Sequence, residues 1–138
     1  MATGIDHFFQ VCYCTSHMSN SRIEILLEQE RFELKPKSGG GLLSYIAWGY
    51  KEKGKSVVTR YALAYINHTI CKEDNGRVLG FDNAHSYHHR HYMGKVEAVE
   101  FESYEATVER FQREWTEIIN QLRKGKPCQR KSLLELAT

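Results

Sequence analysis

Apolar and polar positions alternate with a period near two through most of the chain, and a period near 3.6 takes over only after Ser103. Arg22 to Leu34 opens the regular part. Ile23, Ile25 and Leu27 alternate imperfectly with Glu24, Glu28 and Glu30, but Arg31 to Leu34 alternates well and decides for a strand. Pro36 to Gly41, with its Gly39-Gly40-Gly41 run, is a flexible turn. Leu42 to Tyr50 alternates loosely, and Lys51-Glu52-Lys53-Gly54-Lys55 is a charged turn of hairpin type. Ser56 to Ile70 is rich in Val, Thr, Tyr and Ile. Along it Tyr61, Leu63, Tyr65 and Asn67 fall on one face, and Arg60, Ala62, Ala64, Ile66 and His68 on the other. Glu73 to Gly76 is a turn whose glycine accepts positive φ. Arg77 to Phe81 reads as a short strand, and Lys95 to Glu100 as one more. Ser103 then caps a helix that runs through Arg123, with Val108, Phe111, Trp115, Ile118, Ile119 and Leu122 at helical spacing. That stripe is a core face and not a cofactor box. The pattern predicts an α+β fold: a small antiparallel sheet of about four or five strands packed against a long C-terminal helix.

The two ends read differently. Residues 1–17 lack periodicity and lack the basic start, apolar run and cleavage site of a signal peptide. We expect them to be a leader outside the fold, with Met18 as the true start, a single domain over 18–124, and a basic and apolar tail over 125–138. At 138 residues the chain has the length of one core. A mean hydropathy of −0.53 excludes a membrane-spanning class. The net charge of +2 is too small to argue for nucleic acid by itself. The four cysteines (Cys12, Cys14, Cys71, Cys128) form no C-x-x-C pair and follow no secretory signal, so a reduced, cytoplasmic protein is expected. Cys12-x-Cys14 with His7 and His17 has a spacing unusual for structural zinc.

Candidate chemistry concentrates where the Arg77–Phe81 strand ends. Asp82-Asn83-Ala84-His85-Ser86-Tyr87-His88-His89-Arg90-His91 holds four of the seven histidines, beside Tyr92. Imidazole exchanges protons near neutral pH, and loops that leave a rigid strand are where scaffolds place chemistry. Three readings stay open. Four histidines with Asp82 supply ligands for a divalent transition metal, although the spacing fits no standard zinc motif and Arg90 opposes a cation. Without metal or other cofactor, the same residues supply a base and an acid for cleaving RNA through its own 2′-hydroxyl. In that reading Arg60 and Arg90 contact phosphate, and Tyr61, Tyr65, Tyr87 and Tyr92 stack on bases or move protons. The third reading is structural: Asp82 caps a turn, His85 ties the loop and the rest are surface residues. His7, His17 and His68 are read as structural or incidental.

The order Arg60-Tyr61, Gly76, Asp82-Asn83-Ala84-His85 and His88-His89-Arg90-His91 resembles the TumE family of toxin–antitoxin toxins over roughly Arg22 to Lys124. Many members carry a Pro-containing insertion between the two histidine halves, whereas here only Ser86-Tyr87 separate them. The resemblance implies a growth-inhibiting prokaryotic toxin encoded beside a helix-turn-helix antitoxin. With the chemistry above it leads us to expect a metal-independent ribonuclease in which His85 or His88 is the base and another histidine of the window the acid, with His89 and His91 among the candidates. Asp82 would hold an imidazole tautomer. The antitoxin would be received at the sheet edge or the basic tail, RNA would be the substrate, and a homodimer is left open. Replacing His88 and His89 with Ala is expected to abolish toxicity with thermal stability nearly unchanged. The rival is a non-catalytic binder of RNA or protein that inhibits growth from the same basic, aromatic surface.

Overall fold

A computed structural model describes residues 22–125. The expected leader, the Met18 start, the Cys12/Cys14 zinc reading and the tail from 126 onward lie outside them. Six strands are present: β1 (Ile25–Glu33), β2 (Leu42–Glu52), β3 (Lys55–Ile66), β4 (Arg77–Asp82), β5 (His89–Tyr92) and β6 (Lys95–Ala98). Each pairs antiparallel with its successor, giving one sheet in the order β1 to β6. A single long helix, α1 (Tyr104–Arg123), follows. The α+β class and the C-terminal helix are as the sequence predicts.

Local chemistry explains the meander. Lys53 (φ 53°) and Gly54 (φ 78°) turn β2 into β3, and Met93 (φ 51°) and Gly94 (φ 87°) turn β5 into β6. Two central residues at positive φ match the twist of the flanking strands and allow the tightest hairpin. Helix α1 begins where the Ser103 side chain accepts the Ala106 N–H at 3.0 Å, a cap worth about 1 kcal/mol. Its stripe lies on the sheet as expected. Phe111, Ile118 and Ile119 are buried, and Val108, Trp115 and Leu122 pack against the same core. Phe111 meets Tyr45 and Phe81 edge-on, at centroid distances of 5.4 and 6.3 Å. Burying such a ring contributes roughly 1.5–3 kcal/mol.

The alternation on β3 has the predicted outcome. Tyr61, Leu63, Tyr65 and Asn67 turn toward the helix and are buried, while Arg60, Ala62, Ala64 and Ile66 are only half covered. Among the described residues no helix covers that second face of the sheet.

The strand count differs from the four or five expected, and the added strand is the histidine run itself. His89-Arg90-His91-Tyr92 is wholly buried. Its polarity reads as a loop, yet it folds as a strand because most of its polar atoms, all but Arg90 Nη2 and His91 Nδ1, find partners across the sheet. Arg90 Nη1 reaches Glu97 on β6 at 2.8 Å, and Arg90 Nε reaches Glu114 on α1 at 3.0 Å. The two histidines converge on Asp82 of β4. Paired polar groups escape the cost of burial that would otherwise exclude them from a central strand.

Candidate active site on the helix-free face

The end of β4 is built by two side chains that imitate backbone. The Asp82 carboxylate accepts the Ala84 N–H at 3.0 Å, closing a turn as the structural reading of the sequence anticipates. Asn83 extends the pairing with β3: its Oδ1 accepts the Tyr61 N–H at 3.0 Å and its Nδ2 donates to the Thr59 carbonyl at 2.9 Å. The chain then passes through His85 (φ 62°) and Ser86 (φ 70°), both left-handed. Neither is glycine, so the loop carries about 1–2 kcal/mol of strain per residue. The strained turn leaves His85 exposed.

Strand parity then divides the histidine motif between the two faces of the sheet. On β5, His89 and His91 point to the helix-free face, where Asp82 lies opposite His89 in register. Asp82 Oδ1 lies 2.7 Å from His89 Nε2, and Oδ2 lies 3.1 Å from His91 Nε2. Burial pushes the Asp82 carboxyl up. The hydrogen bonds from His91 and the Ala84 N–H, with the charges of both histidines, outweigh it and hold the group below its ordinary range. Arg77 Nη1 stands 3.5 Å from the same carboxylate while the guanidinium grips Asp74 at 2.8 and 3.1 Å. Gly80 makes room for that arm, since a Cβ there would sit 2.7 Å from Arg77 Cδ and 3.1 Å from the Leu63 carbonyl oxygen. Among the described residues, Asp82, His89 and His91 are the one set whose ligand atoms all lie within 4.8 Å of one another.

Arg90 and Tyr92 take the other parity and face the helix. Arg90 is spent on Glu97 and Glu114, and its guanidinium lies over the Tyr92 ring at 5.1 Å. Tyr65 is fully buried and donates its hydroxyl to the Gly40 carbonyl. The structure therefore takes Arg90, Tyr65 and Tyr92 away from the face that carries the rest of the motif. The expected opposition of Arg90 to a cation falls away too, because its charge lies on the far side of the sheet between two carboxylates.

What the fold does bring together is a groove of about 860 Å³ between β2, β3 and the 83–88 loop. Ile46, Trp48 and Ala62 give it an apolar lining, and Arg60, Asp82, His85, Tyr87 and His88 are at its polar border. Arg60 stacks over Trp48 at 4.7 Å and bonds Glu24 at 2.9 Å. His88 sits between the groove and the helix side. Its ring stacks on Phe101 at 3.9 Å, and its Nδ1 meets the Tyr61 hydroxyl at 2.9 Å. Burial, then the charge of His89, hold His88 below the usual imidazole range. Burial and the Asp82 charge push Tyr61 up to about 12, so it is a phenol at neutral pH. The sequence reading missed Trp48, Glu24, Asp74 and Arg77. Alternation on β2 puts Trp48 on the face opposite Leu43 and Tyr45, but only the β2–β3 register of Trp48 with Arg60 brings it beside the histidine loop.

A sequence profile of the family described as Toxin TumE matches residues 22–121. No curated protein and no solved structure matches the chain. The matched span takes in every described strand and all but the last two residues of α1, so the chain belongs to the TumE toxin family.

Proposed function

From that membership we propose that the chain is the toxin of a toxin–antitoxin module, acting in the cytoplasm as a metal-independent ribonuclease and silenced by a helix-turn-helix antitoxin. One observation carries the catalytic part. His85 and His88 border the same groove as Arg60 and Tyr87, and Tyr61 grips one nitrogen of His88. In this reading His88 donates its Nδ1–H to the Tyr61 oxygen and keeps the Nε2 lone pair for the substrate. Nε2 takes the proton of an RNA 2′-hydroxyl. The 2′-oxygen bonds to phosphorus, the bond to the 5′-oxygen breaks, and protonated His85 returns a proton to that leaving oxygen. The products are a 2′,3′-cyclic phosphate and a 5′-hydroxyl end. Trp48 and Tyr87 offer rings for unstacked bases, and Arg60 contacts phosphate in competition with Glu24. Asp82, His89 and His91 support the loop from below. The helix-free face suits a splayed single strand better than a duplex, because its apolar lining needs exposed base faces. The helix of α1 is too polar to cross a membrane, and no described helix is long and apolar enough to do so.

The test is turnover. Purified protein is mixed with a large excess of single-stranded RNA, beside the same oligonucleotide carrying 2′-deoxyribose throughout. Many RNA strands cut per protein, cyclic-phosphate ends and an intact deoxy strand are expected. Stoichiometric binding without cleavage supports the non-catalytic inhibitor instead, and cleavage of the deoxy strand removes the 2′-hydroxyl from the mechanism.

A further inference from the structure

We propose that Asp82, His89 and His91 form a binding site for one divalent transition ion of the zinc type, a structural clamp between β4 and β5 that acts independently of whether the groove cuts RNA. The two imidazoles present Nε2 to the two oxygens of one carboxylate, at 2.7 and 3.1 Å. The outer nitrogen of His89 is hydrogen-bonded, and that of His91 faces a carboxylate without an aligned hydrogen bond. His89 Nδ1 lies 3.1 Å from the Tyr87 carbonyl oxygen, which can only accept a hydrogen bond, so Nδ1 carries the proton. His91 Nδ1 faces Asp74 Oδ2 at 3.4 Å, again an acceptor. A neutral ring with its proton on Nδ1 has a bare lone pair on Nε2. Without an ion, His91 Nε2 donates to the Asp82 carboxylate and His89 Nε2 lies 2.7 Å from it; an ion bound here would displace protons from Nε2 and take both imidazole lone pairs with a carboxylate oxygen. A backbone carbonyl on one outer nitrogen and a carboxylate on the other is how proteins orient histidines that ligate metal.

Burial and charge agree with this. The three residues are 8, 4 and 8% exposed, so an ion among them is shielded from water. Asp74, Asp82 and Arg77 leave one net negative charge around the cluster to offset a dication. Two imidazoles with one carboxylate suit zinc-like ions, and disfavour magnesium or calcium, which demand oxygen. Bonds of about 2.0–2.1 Å in a tetrahedral site space the ligand atoms about 3.3 Å apart, so the 2.7 Å pair must open slightly and any wider pair of the set, which spans at most 4.8 Å, must close.

The experiment uses the full chain, stripped with chelator and titrated with Zn²⁺ by calorimetry and with Co²⁺ by visible absorption. One equivalent is expected to bind, with a Co²⁺ spectrum lacking thiolate charge transfer and an upward Tm shift of more than about 5 °C at saturation. Binding should persist when Cys12 and Cys14 are both changed to Ser, and fall at least tenfold in His91→Gln. If His91→Gln does not fold, the cobalt spectrum of the double Cys variant decides by itself. No saturable binding, a thiolate spectrum, or full affinity in His91→Gln would overturn the site. Two protons in place of the ion then satisfy the cluster.

Discussion

His85→Gly separates chemistry from folding at one position. His85 occupies φ 62°, ψ 29°, is exposed, and makes no side-chain hydrogen bond among the described residues. A side chain in that conformation costs about 1–2 kcal/mol, which glycine recovers. Glycine also gains freedom in the unfolded chain, worth about 0.5–1 kcal/mol against the fold. The balance is stabilising by about 0–1.5 kcal/mol, a Tm change of roughly 0 to +12 °C for a domain of this size. Loss of the proton donor should lower RNA turnover by about 10²–10⁴-fold. His85→Ala keeps the strain and loses the ring, so it should match glycine in lost activity and be the less stable of the two. Turnover and calorimetric Tm of both variants make the assay. If His85→Gly cuts RNA at the wild-type rate, His85 has no part in the chemistry. If its Tm falls by more than about 5 °C, the ring is structural and the strain argument fails.

The remaining predictions follow from parity and partners. His88→Ala should abolish cleavage while costing only about 0.5–1.5 kcal/mol, the worth of its ring contact with Phe101. His89→Ala should instead cost about 2–4 kcal/mol, since it opens a buried cavity and strips Asp82 of a partner at 2.7 Å; denaturant melts of the two singles check both. This divides the pair that the sequence treats as equivalent surface histidines. Tyr61→Phe, which deletes the 2.9 Å contact to His88, should leave the fold within about 1 kcal/mol of wild type and reduce turnover with KM nearly constant. Unchanged turnover would show that Tyr61 does not position the ring. Arg90→Ala leaves Glu114 with Arg110 as its remaining cation and should destabilise by about 3–5 kcal/mol in a urea melt. A loss below 1 kcal/mol would mean that the network between β5 and α1 contributes little.

The fold was legible wherever apolar spacing alone determines an element. The stripe from Val108 to Leu122 has one period and one partner surface, and Ser103 marks its start, so helix and cap are both readable. The hairpin at Lys53-Gly54 is readable because charge and glycine interrupt two alternating runs. β5 was not legible. A four-residue strand of His, Arg, His and Tyr has no apolar alternation, and its burial depends on Asp82, Glu97 and Glu114, which lie 7 to 24 residues away in sequence. Nothing local announces those partners.

The candidate site was legible as a set and not as an arrangement. Composition picks out Asp82, His85, His88, His89 and His91 together, but a strand sends successive side chains to opposite faces. Once β5 starts at His89, the parity of each residue fixes its neighbours. His89 and His91 meet Asp82, whereas Arg90 and Tyr92 turn to the helix, and no loop reading can make that division. His85 and His88 precede the strand and keep access to the groove. The compact motif matters here. With only Ser86 and Tyr87 between its halves, the strained turn at His85 runs almost directly into β5, so the loop that carries the exposed His85 and the half-buried His88 is anchored at both ends by Asp82. The carboxylate accepts the Ala84 N–H at one end of the loop and meets the His89 ring at the other. Asp82 thus fixes the ends of the loop that carries His85 and His88, and in the proposed reaction it would act through their placement. Removing its charge should therefore disturb both histidines together, in a way that changing either one alone does not.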